Sequence, residues 1–461
     1  MTGVVVFDHL ILLFIAWELT SILSYFLITF NSETPEARRG GQHSFLITGL
    51  GGLSLLGGIL LLGATEGVWT LTSALNVNLA STPAGAWIAG LIILGAITKS
   101  AQFPFHFWLP GAMSAPTPAS AYLHSATMVK AGIYLLYRLW PMLETVDNVT
   151  WIVFSIGIVT FAWGSFISLL QLRLKGVLAG TTVAHLGLMT AMIAWPDLDM
   201  SAALFALVFH TPLIRRGLFL FSGVIEKMAG TNRIDLMSGL RNQSPFIFGI
   251  GLILAGASLG LPGTLAYYAK SLMDLPIMWK LAMTLGFLIL GKAGLLVAVR
   301  PFLGTPSTKA AAAPGLTLMW IPPLILSLVS WLTVPLSHII QTGHIAEASW
   351  DTKNLAFSIG SAFIAIALLR RWTPEWQRAL NSGPWPQGAN LFDRIWYAHL
   401  DFAKLIRDIV QSQSLAVHVL TVMSAFTVGV LGLITTTGMP ALIAWPTSIP
   451  MDDVFVWLCL A

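Results

Sequence analysis

Residues 91–108 read LIILGAITKSAQFPFHFW, and residues 121–136 read AYLHSATMVKAGIYLL. Each run, with its flanks, is apolar and long enough to cross a bilayer, which takes roughly 20 residues of helix. Yet the first holds Lys99 and His106, and the second His124 and Lys130. A charge at membrane depth costs about 3 kcal/mol on insertion scales, so such residues face a polar interior and default to a functional reading. The rest of the chain agrees with a membrane setting. Of 461 residues, 56% are hydrophobic and 10% charged, where soluble domains carry about 25% charged residues. The mean hydropathy is +0.79. No polar coat is left for a water-soluble enzyme, a nucleic-acid binder or a disordered chain, and an all-α integral membrane protein remains.

Windows of membrane length place helices near 4–30, 44–64, 86–108, 119–140, 149–171, 176–195, 200–225, 245–269, 277–302, 315–335, 355–370 and 416–437, about twelve in all. The Pro-broken tail 440–461 is a thirteenth candidate. The basic residues support this order through the positive-inside rule. Arg38 and Arg39, Arg173 and Lys175, then Lys227, Arg233 and Arg241, Lys309, and Arg370, Arg371 and Arg378 mark one side, read as cytoplasmic. Glu144 and Asp147, Asp197 and Asp199, and Glu347 and Asp351 mark the other. The net charge of +4 and pI of about 9.2 belong to those loops, not to a nucleic-acid partner. No cleavable signal peptide is expected, because Met1–Phe30 lacks a basic leader before its apolar run. The lone Cys459 supports neither an internal disulfide nor a cysteine metal site. Residues 304–314, GTPSTKAAAAP, read as a linker. Residues 391–413 alternate apolar and charged faces at helical spacing, which predicts an amphipathic helix along the cytoplasmic side. The expected organisation is a proton-handling bundle over 1–303, further membrane helices over 304–390, the amphipathic helix 391–413 and a membrane segment over 414–461.

Other ionisable groups interrupt the apolar runs. Glu18 lies in LLFIAWELTSILSYF, Lys175 opens the sixth helix and His185 lies within it. His210, Arg215 and Arg216 interrupt the seventh, Lys270 closes GLPGTLAYYAK, and Lys292 lies in LILGKAGLLVAV. One carboxylate with many lysines and histidines on successive helices forms a candidate proton track, since both cation types can load and release protons when a partner moves. Blander readings stand beside it: Glu18–Lys99 as structural glue, His185 and His210 as satisfied core histidines, Lys175 as a snorkelling side chain. Two spans are expected to break, at Pro104–Pro110 and at Gly260-Leu-Pro262-Gly263, as helices lining polar cavities do. Trp108, Trp140, Trp195 and Trp372 fall near span ends and read as an interfacial belt. No strand, haem, flavin or nucleotide motif is evident, so no cofactor is expected.

The block ITKSAQFPFHFWLPGAMSAPTPASAYLHSATMVKAGIYLLYRL resembles the signature of the antiporter-like proton-translocating subunits of respiratory complex I, membrane-bound hydrogenases and Mrp cation/proton antiporters. WELTSILSYFLI, RLKGVLAGTTVAHLGLM and GLPGTLAYYAKSLM resemble further helices of that family, and the likeness runs from about 8 to 300. Within the family, FPFHFWLPGAM and Lys130 in TMVKAG look most like the large A-type Mrp subunits. The resemblance implies a gating ion pair of Glu18 and Lys99. It also implies a central relay with His124 and Lys130, a conducting Lys175 and an outlet at Lys270. His106 joins the track, and His185, His210 and Arg215 stand beside it as further candidates. Arg215 stands where the family has lysine, in HTPLIRRGLF, and Arg173 stands where it has an acid near Lys175. The resemblance begins at the glutamate helix, so the family's preceding helices are expected to lie outside this sequence.

These readings imply a subunit of a multi-subunit sodium/proton antiporter in a bacterial cell membrane, moving protons against sodium with partner subunits and without a cofactor. One rival is a proton-pumping subunit of complex I or a hydrogenase. Another is a non-transporting scaffold, for which Arg215 is the argument.

Overall fold

The computed structural model describes residues 1–125, 127–196, 198, 200–273, 275–304, 318–342, 352–371, 373–383, 388–410 and 424. The principal helices are α1 (Leu10–Ile28), α2 (Pro35–Glu66), α3 (Gly85–Lys99), α4 (Thr117–Ser125), α5 (Lys130–Leu143), α6 (Val149–Leu170), α7 (Leu174–Ile193) and α8 (Ser201–Ala229). They continue as α9 (Pro245–Leu259), α10 (Leu265–Ser271), α11 (Ile277–Ala298), α12 (Ile321–Thr342), α13 (Thr352–Arg371), α14 (Pro374–Asn381) and α15 (Gly388–Val410). Among the described residues the only β pairings are two isolated bridges, His9–Thr70 and Arg173–Arg233. Six helices there are long and apolar enough to cross a membrane, and α3, α9 and the first half of α12 are shorter apolar helices. The protein is an all-α, multi-pass membrane protein. Its described part separates into Met1–Gly388 and Ala389–Ala461.

Close approach of small residues builds the centre of the first unit. On α6, Gly157 and Gly164 are two turns apart, and on α7 so are Gly180 and Gly187. A Cβ at Gly157 would run into the α7 backbone at Gly187 and Ala191, and one at Gly187 into the α6 backbone at Phe161. Small residues on one face let membrane helices pack backbone to backbone. Around this pair, α8 packs on α4, α7, α10 and α12, and α11 packs on α6, α9 and α13. The covered carboxylate of Asp235 binds two exposed arginines, Arg233 (2.8 Å) and Arg378 of α14 (3.5 Å). Its hydrogen bond, with its charge, raises the Arg233 guanidinium above its ordinary pKa.

Several expectations need correction. The span expected over 119–140 is two helices, because α4 ends at Ser125 and α5 starts at Lys130. The hydroxyl of Thr127 donates to the Tyr122 carbonyl (3.0 Å), a side-chain bond that competes with helix continuation. The third span stops at Lys99, short of Pro104, where Ala101 turns left-handed (φ 49°). Trp108 and Trp195 are buried, not interfacial. Trp108 donates its indole N–H to the Thr98 carbonyl (3.0 Å), and Trp195 stacks edge-on with Phe154 and Trp279. The break at Gly260–Gly263 is present: Gly260 caps α9 at φ 70°, and the Thr264 side chain caps α10. The amphipathic segment is the helix α15. Segments 416–437 apart from Ser424, and 440–461, as well as Trp372, Lys309, Asp197, Asp199, Glu347 and Asp351, lie outside the described residues, as does 304–314 beyond Gly304.

Candidate functional site

Lys99 is fully buried in the last turn of α3. A cation there gains from the negative end of the helix dipole. Its Nζ donates to the Trp17 carbonyl (3.0 Å) and the Ser21 hydroxyl (2.6 Å) of α1, and lies 5.0 Å from the Trp17 ring centre. Glu18 is on the same stretch of α1, and its charge and that of Lys99 act on each other. Among the described residues no carboxylate oxygen comes within 4.0 Å of Lys99 Nζ, so the two are neighbours, not a closed ion pair. The Glu18 carboxylate is received by a gap in α2. A Cβ at Gly52 would overlap it, and one at Gly51 would overlap the Thr98 hydroxyl. Glu18 Oε1 is buried without a hydrogen-bond partner.

A second group lies on α5, α7, α8 and α10. Pro212, inside α8, has no N–H to give the carbonyl four residues earlier. That carbonyl is Val208, and Lys130 Nζ donates to it (2.9 Å). Three residues beyond the proline, Arg215 is buried against α7. Its Nη1 donates to the Leu178 carbonyl (3.0 Å) and to the hydroxyls of Thr181 (2.8 Å) and Thr182 (2.7 Å). Its Nη2 reaches the Thr181 carbonyl (2.5 Å) and His185 Nδ1 (2.6 Å). Because guanidinium only donates, the His185 nitrogen facing it accepts, and the 2.9 Å approach of that nitrogen to the Thr181 carbonyl, also an acceptor, is then not a hydrogen bond. His210 is buried with Nδ1 unpartnered, and shares a cavity of about 30 Å³ with His185, Thr211, Arg215 and Ser258. Lys270 folds back to the Leu259 carbonyl at the end of α9 (3.1 Å), over the Phe287 ring (4.7 Å). It lines a cavity of about 50 Å³ with Tyr267, Lys280, Thr284, Ser358 and Ser361. Electrostatically these are one group: Lys130, His185 and Arg215 act on His210 or on one another, and Lys270 acts on His210. Gly132 of α5 abuts Ala96 and Ser100 of α3, so Lys130 and Lys99 flank one helix contact.

Two sequence candidates stand elsewhere. His106 accepts from the Trp163 indole (2.8 Å) and stacks on Phe103, in aromatic surroundings. Lys175 opens α7, donates to the Ala115 carbonyl (3.1 Å) and meets Glu226 of α8 at 4.0 Å. The side chain of His124 lies outside the described residues. Sequence reasoning missed Glu226, Gly51, Gly52 and Ser358. Glu226 next to Lys227 looks like an ordinary helix-end charge, and Gly51 and Gly52 are two among many glycines of α2.

A family model for the transmembrane region of NADH:quinone oxidoreductase and Mrp antiporters matches residues 8–296. The chain belongs to this family. It is 40% identical over 275 residues to the A/B-type subunit of a probable K(+)/H(+) antiporter from Rhizobium meliloti, covering 59% of this chain and 27% of that one. It is 40% identical over 290 residues to the A-type subunit of a Na(+)/H(+) antiporter from Alkalihalophilus pseudofirmus, covering 59% and 36%. It is 38% identical over 286 residues to the A1-type subunit of a Na(+)/H(+) antiporter from Staphylococcus saprophyticus, covering 59% and 35%. In fold it is similar to a chain of the Mrp complex from Dietzia sp. DQ12-45-1b, with TM-score 0.79 and 26% identity, over 99% of this chain and 53% of that one. The aligned stretch thus spans about a third or less of these curated relatives. Every candidate relay residue falls within the family's segment 8–296, and α12 to α15 lie beyond it.

Proposed function

We propose that this chain is a proton-translocating subunit of a multi-subunit monovalent cation/proton antiporter, exchanging external protons for cytoplasmic sodium in a bacterial cell membrane. The observation that carries the reading is the buried group Lys130–Arg215–His185–His210–Lys270, with Glu18 and Lys99 beside it across the α3–α5 contact. Membrane interiors keep such groups where ions or protons pass. Glu18 is the movable anion. When it approaches Lys99 it favours the ammonium, and when it withdraws into the Gly52 gap the proton is released toward Lys130. The curated relatives are named as antiporter subunits, two for Na(+)/H(+) and one for probable K(+)/H(+) exchange, which supports a monovalent cation as the coupled ion, with sodium the commoner name, and other subunits as partners. The chain works without a cofactor of its own.

The test is sodium-dependent proton movement in everted vesicles carrying the whole complex. Lys99→Ala abolishes it if the reading holds, and movement at the wild-type rate makes the chain a scaffold. Co-purification with small multi-helix subunits, not with an iron–sulfur quinone reductase, separates the antiporter from the redox-driven pump.

A further inference from the structure

Among the track residues whose side chains are described, Lys175 stands at the basic end of the bundle with its side chain 15% exposed. The end of α8 supplies a more exposed group beside it. Glu226 Oε2 lies 4.0 Å from Lys175 Nζ, with the Glu226 side chain 35% exposed and that of Lys175 15%. Accessibility therefore falls by more than half across one contact. The local chain holds the two together. The Arg173–Arg233 bridge, with Leu174 N–H on the Asn232 carbonyl (3.0 Å) and Ile234 N–H on the Leu172 carbonyl (2.9 Å), ties the start of α7 to the segment after α8. Arg173 precedes Lys175 by two residues, Lys227 follows Glu226, and Arg233 and Arg241 lie in the segment after α8, the charge pattern of a cytoplasmic face. On its inner side Lys175 reaches the Ala115 carbonyl, two residues before α4 begins. Gly223, one turn before Glu226, makes room for Thr117 at the start of that helix. Water, Glu226, Lys175 and the start of α4 follow one another inward.

Resting on the proton-translocating reading, we infer that Glu226 is the carboxylate that exchanges protons between the buried track and the cytoplasm. A proton leaving the track passes from the Lys175 ammonium to the Glu226 carboxylate, giving a neutral amine and a carboxyl. The carboxyl then gives it to water and regains its charge. The half-exposed side chain of Glu226 is free to close the 4.0 Å gap by a change of rotamer. A purely structural ion pair at this exposure contributes about 0–1 kcal/mol, so replacing the acid leaves the fold intact.

The experiment measures sodium uptake into everted vesicles carrying the whole complex, driven by an imposed pH gradient. Glu226→Gln slows uptake at least about tenfold, as loss of a proton-transferring group does, while Glu226→Asp keeps most of the rate. In these vesicles the cytoplasmic face meets the bath. A membrane-impermeant weak-acid buffer there, at constant ionic strength, restores Glu226→Gln and leaves both wild type and Lys99→Ala unchanged. Wild-type uptake by Glu226→Gln overturns the inference, and so does a slow variant that the buffer does not restore. Absence of uptake in the wild type overturns the antiporter reading itself.

Discussion

A buried ammonium in a membrane bundle needs oxygen atoms, and here backbone carbonyls supply them. Lys99 rests on Trp17, Lys130 on Val208, Lys175 on Ala115 and Lys270 on Leu259, while Arg215 holds two carbonyls of α7. Two of these carbonyls have lost a partner in their own helix: Val208 faces Pro212, and Leu259 ends α9. A carbonyl holds the cation without fixing a counter-charge to it, which on the proposed mechanism leaves the proton mobile. On that mechanism Glu18 is the moving anion, and α2 has to leave space for it. Gly52→Ala places a methyl group where the carboxylate lies. Gly49, on the same helix, meets nothing within 4 Å, so Gly49→Ala is the control. Alanine favours a helix interior over glycine by about 1 kcal/mol, so both variants assemble. Gly52→Ala is expected to lose sodium-dependent proton movement and Gly49→Ala to keep it. Equal rates in everted vesicles for the two variants would show that the gap at Gly52 has no part in transport.

At the scale of elements, the two breaks differ in how far sequence reveals them. The α9–α10 break is written in Gly260, Pro262 and Gly263, residues that stop helices by their own geometry. The α4–α5 break holds neither glycine nor proline, and rests on the Thr127 hydroxyl, a bond that no periodicity shows. The same division runs through the site. Lysines stand out in apolar runs because hydrocarbon rejects them, so Lys99, Lys130 and Lys270 were legible. Their carbonyl partners were not, because any residue carries one and only the packing of distant helices selects it. Ser358 of α13 is a case in point. It lies outside the family's segment, yet its hydroxyl donates to the Gly260 carbonyl (2.5 Å), next to the Leu259 carbonyl that holds Lys270. Trp331 of α12 adds a weaker bond to the Ile253 carbonyl (3.4 Å). Ser358→Ala frees the break and loosens the seat of Lys270, at a cost of about 1 kcal/mol for one hydrogen bond. Transport is expected to fall severalfold while complex yield holds, and Ser358→Thr to recover it. A wild-type rate in Ser358→Ala would leave α13 without a role in placing Lys270.

Across the whole bundle, the central group carries positive charge without local compensation. Among the described residues no carboxylate oxygen lies within 4.0 Å of Lys130, Arg215 or Lys270. Arginine keeps its proton at any accessible pH, so Arg215 is a standing charge that the lysines on either side are not. A fixed charge inside the group disfavours a second one beside it, and more strongly where water is excluded. A proton moving from Lys130 toward His210 and Lys270 meets that barrier whenever nothing else changes in the protein. On the proposed antiporter function this gives Arg215 a use, since protons must then not cross unless the coupled ion crosses too. Arg215→Met removes the charge and keeps the local helix satisfied, because the Thr181 and Thr182 hydroxyls already bond to the Leu178 carbonyl (2.8 Å each). The expected outcome is a leak: vesicles carrying Arg215→Met lose an imposed pH gradient in sodium-free buffer well before wild-type vesicles do. Arg215→Lys, whose charge can be discharged, falls between them. If Arg215→Met vesicles hold their gradient like the wild type and still exchange sodium at the wild-type rate, the fixed charge does not gate the track.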